Sequence, residues 1–436
     1  MAAAGTGLTD RVDDEVVEIC RDLIRIDSSN PTSNERAAAE WVAERLTDAG
    51  LSPEVLESEP GRASVVARWA GEDSSRTALL VHGHLDVVPA DAGDWQVDPF
   101  AGEIRDDCIW GRGAVDMKDM DAMTLAVVGD WIRQGKRPPR DVVLTFLADE
   151  EAGGLKGARW LVENHADLFA DCSEAISEVG GFSVTVAGRR LYAIETAEKG
   201  IAWLTLVARG RAGHGSMLND DNAVTAVAEA TARLGRHRFP VELTPSAEAF
   251  LRELCDALGV SFDPDDVDGV LAKLGPIARM VGATLRHTAN PTMLNAGYKH
   301  NVIPQRAVAY IDCRFLPGGE ERFHDELARV VGPDVAIEMV HTDIAYETTF
   351  DGDLVDAMKA ALNAEDPDGR PVPYCLSGGT DAKHFARLGI RCFGFSPLRL
   401  PPDLDFTGMF HGIDERVPLD GLRFGARVLS RFLAMS

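Results

Sequence analysis

The stretch TALLVHGHLD, Thr77 to Asp86, decides the fold. Its apolar run, Ala78 to Val81, reads as a strand buried on both faces, and it ends abruptly in His82, Gly83, His84, Leu85 and Asp86. In an open parallel sheet the loops beyond the carboxyl ends of the strands converge on one crevice, so polar groups there are placed for chemistry. A metal-bound imidazole gives its second ring N–H to a carboxylate, and His84 with Asp86 two residues on suits ligand and orienter. A lone histidine at a strand end is more often a satisfied structural residue, so the reading depends on what the other strands end in.

The totals bound the answer. The chain has 436 residues, 45% of them hydrophobic, which allows large cores and two domains. Acidic residues outnumber basic ones 70 to 44 for a net charge of −26, which argues against nucleic acid or an anionic membrane as partner. The start, MAAAGTGLTDRVDDEVVEIC, has no basic segment followed by an apolar core, and no run reaches the ~18 apolar residues of a membrane helix. A cytoplasmic location is the expectation. The seven cysteines are scattered without a Cys-x-x-Cys pair, so reduced thiols are expected and a thiolate metal site is not.

Outward from the opening strand, Val12 to Ile24 and Ala38 to Leu46 carry helical spacing, separated by DSSNPTSNE, and Ser64 to Trp69 reads as a strand. Asp91 to Ala114 reads as a long irregular excursion closing in GRGAVDMKD, followed by a helix from about Met120 to Gln134. The strand VVLTFLA runs into Asp149, Glu150 and Glu151, and adjacent carboxylates at a strand end are costly unless a cation holds them. A helix from about Leu155 to Asn164 and a short strand AIS follow, the latter terminating in Glu178.

Near Glu195 the texture changes to a strand (Ile201 to Ala208), a helix (about Asn222 to Leu234), two strands (Thr292 to Gly297, Ala307 to Arg314), a helix (about Glu320 to Val331) and a strand (Val335 to Val340). That order suits a small sheet covered on one face, interrupted by a mostly helical insertion from Pro240 to Pro291. From about Thr348 the α/β texture returns, with helices after Asp353 and SGGTDAKHF, a strand from Arg391 to Phe395 and a last helix after FHGIDERVP. The fold class is therefore α/β: a mixed, mostly parallel sheet sandwiched by helices, with an inserted α+β, ferredoxin-like lid. The expected boundaries are 1–195 and 346–436 for the larger domain and 196–345 for the insert.

Five elements of the larger domain end in groups that suit hard or borderline divalent cations: His84, Asp116, Glu150 with Glu151, Glu178 and His411. Imidazole and carboxylate without thiolate fit zinc, and also cobalt or manganese. Six groups exceed one catalytic site of about three protein ligands, whereas two ions bridged by one carboxylate use the surplus.

HGHLDVVP, GRGAVDMKD, ADEEAGG, SEVGG, GHGS, NVIP, DCRFLPG, SGGTDA and FHGIDERV occur in an order and spacing that resembles the co-catalytic metallopeptidases. That family includes glutamate carboxypeptidase, succinyl-diaminopimelate desuccinylase, acetylornithine deacetylase, aminoacylase and carboxypeptidase S. The resemblance implies two divalent ions, His84 and Glu178 on one, Glu151 and His411 on the other, and Asp116 bridging. It implies that Asp86 orients His84, and that Glu150 is the general base for a metal-bridged hydroxide attacking an amide. The substrate implied is a small N-acyl amino acid or dipeptide with a free carboxylate. From the insert, His214 matches an oxyanion-stabilising histidine, while Asn301, Arg314, Gly378 and Gly379 match substrate contacts. An ion pair of Arg314 with Asp312 and a turn-stabilising role for His214 are the rival readings. A homodimer is implied by analogy. His82 is expected to be structural and turned to the other face of the strand, Asp381 to be a helix N-cap and His384 to be structural within that helix. Asp119 departs from the family pattern. A catalytically silent binding protein on this scaffold would be expected to have lost Glu150 or a ligand, and the chain keeps them all.

Overall fold

The computed structural model describes residues 7–31, 35–274 and 277–436. Residues 32–34 of DSSNPTSNE, residues 275–276 of the insertion and the first six residues lie outside that set. The chain divides into two compact units: one runs to Thr196 and resumes over Thr348–Tyr374 and Thr380–Ser436, the other comprises Ala197–Glu347 and Cys375–Gly379.

At the centre of the first unit, Ala78–His84 is buried along its whole length. It pairs in parallel with Val142–Leu147 on one side and Cys172–Ser177 on the other, and Cys172–Ser177 pairs in parallel with Arg391–Gly394. Runs that are apolar on both faces can only sit here, between two layers of helix. Further out the pairing turns antiparallel, through Arg62–Trp69 and Glu54–Glu59 at one edge and Arg189–Glu198 with Phe182–Val186 at the other. The sheet is thus mixed, with a parallel core.

The opening strand does not stop at Val81. It continues to His84, which pairs with Leu147, so both histidines are carried on the strand. Gly83 permits this: a Cβ there would lie 2.4 Å from Asp121 Oδ1 and 2.6 Å from Met117 Cε, atoms of or next to the helix Lys118–Arg133.

That helix is buried over most of its length and packs with Val12–Arg25, Glu35–Ala49 and Leu419–Leu433. Trp131 Nε1 donates to Ser430 Oγ at 2.8 Å, and the buried Lys118 Nζ donates to the carbonyls of Leu23 (3.0 Å) and Ile26 (2.9 Å), closing the end of the first helix. The Asp91 to Ala114 excursion is less irregular than its composition suggests. It holds the hairpin Glu103–Arg105 and Cys108–Trp110, whose third strand, Arg416–Pro418, arrives from the far end of the chain. Four further strands of five residues or more, Glu54–Glu59, Phe182–Val186, Arg189–Glu198 and Arg370–Leu376, go beyond the sequence reading.

The second unit is a four-stranded antiparallel sheet in the order Thr288–Ala296, Arg306–Phe315, Gly200–Arg209, Ala336–Asp343. The helices Ala223–Arg236 and Glu320–Val331 supply Val227, Leu234, Phe323 and Leu327 to a core with Leu204, Leu206 and Phe315. Asn222 caps the first of them, its side chain accepting from the amide of Val224 at 2.9 Å. The insertion contributes helices Pro245–Leu258, Val267–Leu271 and Ala278–Ala283. The following strand starts at Thr288 rather than Thr292, with Pro291 beside a register shift that relieves its missing N–H.

Candidate metal centre

In the first unit the strand ends and loops bring His84, Asp116, Glu150, Glu151, Glu178 and His411 together. His84 ends its strand, Glu178 follows Cys172–Ser177, and Glu150–Ala152 form a single 3₁₀ turn after Val142–Leu147. His84 Nε2 lies 3.0 Å from Asp116 Oδ1, 3.5 Å from Glu178 Oε2 and 3.9 Å from Glu150 Oε2. His411 Nε2 lies 3.4 Å from Asp116 Oδ2 and 2.9 Å from Glu151 Oε2. Two ligand triads result, His84–Asp116–Glu178 and Asp116–Glu151–His411, each with its donor atoms within 4.8 Å of one another and sharing Asp116 through different oxygens. The Asp116–Met117 peptide is cis.

The electrostatics ask for cations. Among the described residues no lysine or arginine pairs with Asp116, Glu150, Glu151 or Glu178. Burial pushes the Glu150 carboxyl well up, reinforced by Glu178, and it pushes Glu178 up to about 7. Burial alone would lower His84, yet the charges of Glu178 and Asp116 outweigh it and hold the imidazole well above its usual value. Hydrogen bonds to Asp116 and Glu151 raise His411 to about 10. Raised proton affinity throughout marks a cluster short of positive charge, which divalent ions on these imidazole and carboxylate donors would supply. The residues present therefore fit two such ions.

The support around the ligands differs in places from the expectation. Asp86 is fully buried, but its carboxylate does not take the His84 N–H. His84 Nδ1 is 2.9 Å from the main-chain oxygen of Asp86 and 3.7 Å from Oδ1. The carboxylate instead accepts the backbone N–H groups of Glu150 (3.0 Å) and Glu151 (3.1 Å), which occupy it more fully. His82 does not turn to the opposite face, because residues two apart in an unbroken strand share one. It is kept out of the ligand set by Ser177 Oγ, 3.1 Å from its Nδ1, and by the Phe385 ring, while burial lowers its pKa to about 3.

Asp381 is not a side-chain N-cap: the amide of Ala382 is taken by Thr380 Oγ1 at 3.1 Å. Asp381 is buried, its Oδ2 has no partner among the described residues, and burial holds its carboxyl well above the usual range. His384 is buried with Nε2 3.2 Å from the carbonyl of Gly153, a structural contact to the loop after Glu151. Asp119 is buried in the first turn of Lys118–Arg133, where burial pushes its carboxyl well above the usual carboxylate range.

The other expected site residues belong to the second unit. His214 is exposed, pairs Val302 across a two-residue ladder, and holds Ser216 Oγ 2.8 Å from Nδ1, leaving Nε2 without a partner among the described residues. Asn301 is exposed, and its carbonyl accepts the amide of Gly215 at 3.0 Å. The Arg314 fork is closed on Asp312, with contacts of 2.7 and 3.2 Å, which is the ion-pair reading rather than an open carboxylate receptor. Gly378 and Gly379 are half-buried just after the strand Arg370–Leu376.

Residues 80–435 match the model of one family, described as peptidase family M20/M25/M40. The chain belongs to this family. Membership makes it a hydrolase and agrees with the paired triads. Among M20 relatives, aminoacylase-1 of Sus scrofa is 28% identical over 417 residues, covering 92% of this chain and 90% of its own. A Dictyostelium discoideum protein named "Probable carboxypeptidase S-like 2" is 29% identical over 386 residues, covering 82% of this chain and 71% of its own. The M20 metallo-carboxypeptidase Sso-CP2 of Sulfolobus solfataricus has the same fold, with a TM-score of 0.75 at 21% identity over 97% of this chain and 99% of that one. No helix among the described residues is long and apolar enough to cross a membrane.

Proposed function

We propose that this M20 hydrolase cleaves the amide bond of a small N-acyl amino acid or dipeptide that bears a free carboxylate, using two divalent ions, zinc first and cobalt or manganese as substitutes. The observation that carries the reading is the pair of triads sharing Asp116, with Glu150 Oε2 3.9 Å from His84 Nε2 and outside both triads. His84 and Glu178 would hold one ion, Glu151 and His411 the other, and Asp116 both. Bound there, the ions supply Lewis acidity that polarises the amide carbonyl and acidifies water.

The rest falls to the chain itself. Glu150, whose proton affinity is raised by burial, takes a proton from water as its oxygen joins the acyl carbon, and returns it to the amine nitrogen as the C–N bond breaks. Asp86 keeps the Glu150 and Glu151 amides in place while its carbonyl fixes the His84 tautomer. His214 Nε2 donates to the oxyanion that develops on the carbonyl. Asn301 and the backbone at Gly378 and Gly379 contact substrate, and Arg314 exchanges Asp312 for the substrate carboxylate.

In this reading 1–195 and 346–436 form the catalytic domain and 196–345 a lid that also dimerises, giving a homodimer visible by light scattering. A cytoplasmic, nucleic-acid-free and membrane-free setting is supported by the acidic charge and by seven scattered cysteines without a Cys-x-x-Cys pair. The test is a panel of N-acetyl, N-succinyl and dipeptide substrates with zinc, cobalt and manganese against a chelated control. Hydrolysis that needs the metal and leaves a free amine supports the reading. Equal hydrolysis in chelator rejects it.

A further inference from the structure

The turn that carries Glu150 and Glu151 is held by more than Asp86. Asp149, immediately before it, adopts a left-handed backbone with φ 69° and ψ 15°, a conformation a non-glycine residue keeps only when its surroundings enforce it. The enforcement is visible. Asp149 Oδ2 accepts the amide of Lys156 at 2.9 Å, and Oδ1 accepts from Asn30 Nδ2 at 3.3 Å. The same Asn30 amide donates to Asp86 Oδ2 at 2.9 Å. Asn30 thereby ties the residue before the turn to the carboxylate that receives the turn's own N–H groups.

Asn30 is in turn oriented by Arg62. Its Oδ1 accepts from Arg62 Nη2 at 3.0 Å, which directs the NH2 toward the two aspartates. Arg62 Nη1 bonds the fully buried Glu35 and lies 3.5 Å from Asp149 Oδ1. Asn30, Arg62, Asp86 and Asp149 are all buried, and among the described residues no other lysine or arginine side chain reaches Asp86 or Asp149. Asn30 therefore donates to both buried carboxylates from one NH2 group, and Arg62 sets a positive charge beside Asp149, so the two aspartates belong to one hydrogen-bonded network. The segment carrying Asn30 is itself pinned beside the His84 strand, since the Asn30 amide donates to the Val87 carbonyl at 2.9 Å and Ser28 Oγ donates to that of Leu85 at 2.6 Å.

We propose that Asn30 and Arg62 are positioning residues: through Asp86 and Asp149 they set where the Glu150 carboxylate and the Glu151 ligand sit, and so govern the rate of the chemical step and retention of the ion at Glu151. The inference rests on the function proposed above. It is tested with N30A, R62Q and R62K in the full chain, reading kcat, KM, melting temperature and cobalt binding by visible absorption and calorimetry. The expected result is a fall of about 10- to 100-fold in kcat for N30A and R62Q with KM unchanged, and weaker binding of one of the two cobalt ions. R62K falls between them and wild type, because lysine restores the charge without the fork that reaches both Glu35 and Asn30. R62Q strips the cation from a buried acidic cluster; should it not fold, N30A, which leaves the Arg62–Glu35 pair in place, is read instead. A purely structural role predicts earlier melting with wild-type kcat per metal-loaded molecule and wild-type cobalt affinity, and that result overturns the proposal. The cobalt arm needs no substrate: a wild type that binds two ions but hydrolyses no amide sinks the functional reading alone, and the affinities of the variants still decide this one.

Discussion

Two acidic clusters in the first unit are built on opposite plans. Asp366 is buried with its answer supplied: Arg190 closes on both of its oxygens, one contact at 2.8 Å, and the Tyr192 hydroxyl donates to it at 2.7 Å. The group around Asp116 gathers four carboxylates and two imidazoles with no arginine or lysine paired to the acids among the described residues. A charge cluster closed by its own cation serves stability, whereas one left short of positive charge asks for it from solution. The difference separates scaffold from site without any appeal to relatives.

The contrast breaks first at Glu150. E150A should lower kcat by about 10²- to 10⁴-fold with two ions still bound by elemental analysis. Retained turnover would reduce the open cluster to a second structural one. Chelation comes next. At free zinc about 100-fold above Kd, each ion would add about 2.7 kcal/mol to stability, so stripping them should abolish hydrolysis and shift the calorimetric melting curve down. An unchanged curve would mean that the acids need no counter-charge. The closed cluster should respond in the reverse sense. D366N removes the charge and one of the two oxygens that accept from Arg190 and Tyr192, sets an NH2 donor in its place, and should cost about 1–3 kcal/mol of stability, while kcat per folded molecule and metal content hold.

The smallest effect concerns pH. The Arg190 hydrogen bonds hold the Asp366 carboxyl below its usual value, ahead of the opposing effect of burial and with further help from Tyr192. A carboxyl lowered on folding stabilises above the unfolded value, about 3.9, and loses that contribution as pH falls through the lowered one. The melting gap between wild type and D366N should be full at pH 7 and narrow below about pH 4. A gap that stays constant would assign the loss to packing.

The parallel core and the meeting of the candidate ligands were legible because each rests on local signals: an apolar run long enough for a buried strand, then an abrupt polar stop. His84, Glu150, Glu151 and Glu178 all sit at such stops. What could not be read depends on partners distant in sequence. The strand Cys108–Trp110 is completed by Arg416–Pro418, and Asn30 meets Asp149 across the whole first part of the chain. Neither leaves a period in sequence. Asp381 does hold the N-cap position, but Thr380, one residue earlier, offers the same capping chemistry, and only coordinates say which side chain takes the amide. For Arg314 the residues allowed two readings, and both atoms of its fork that the structure places in contact meet Asp312.

The ligands come from both sides of the inserted unit, His84 to Glu178 before it and His411 after. During synthesis the His84–Asp116–Glu178 triad leaves the ribosome long before the last imidazole does. The second triad therefore cannot be completed until the C-terminal segment has been made, whereas all three residues of the first are present well before it.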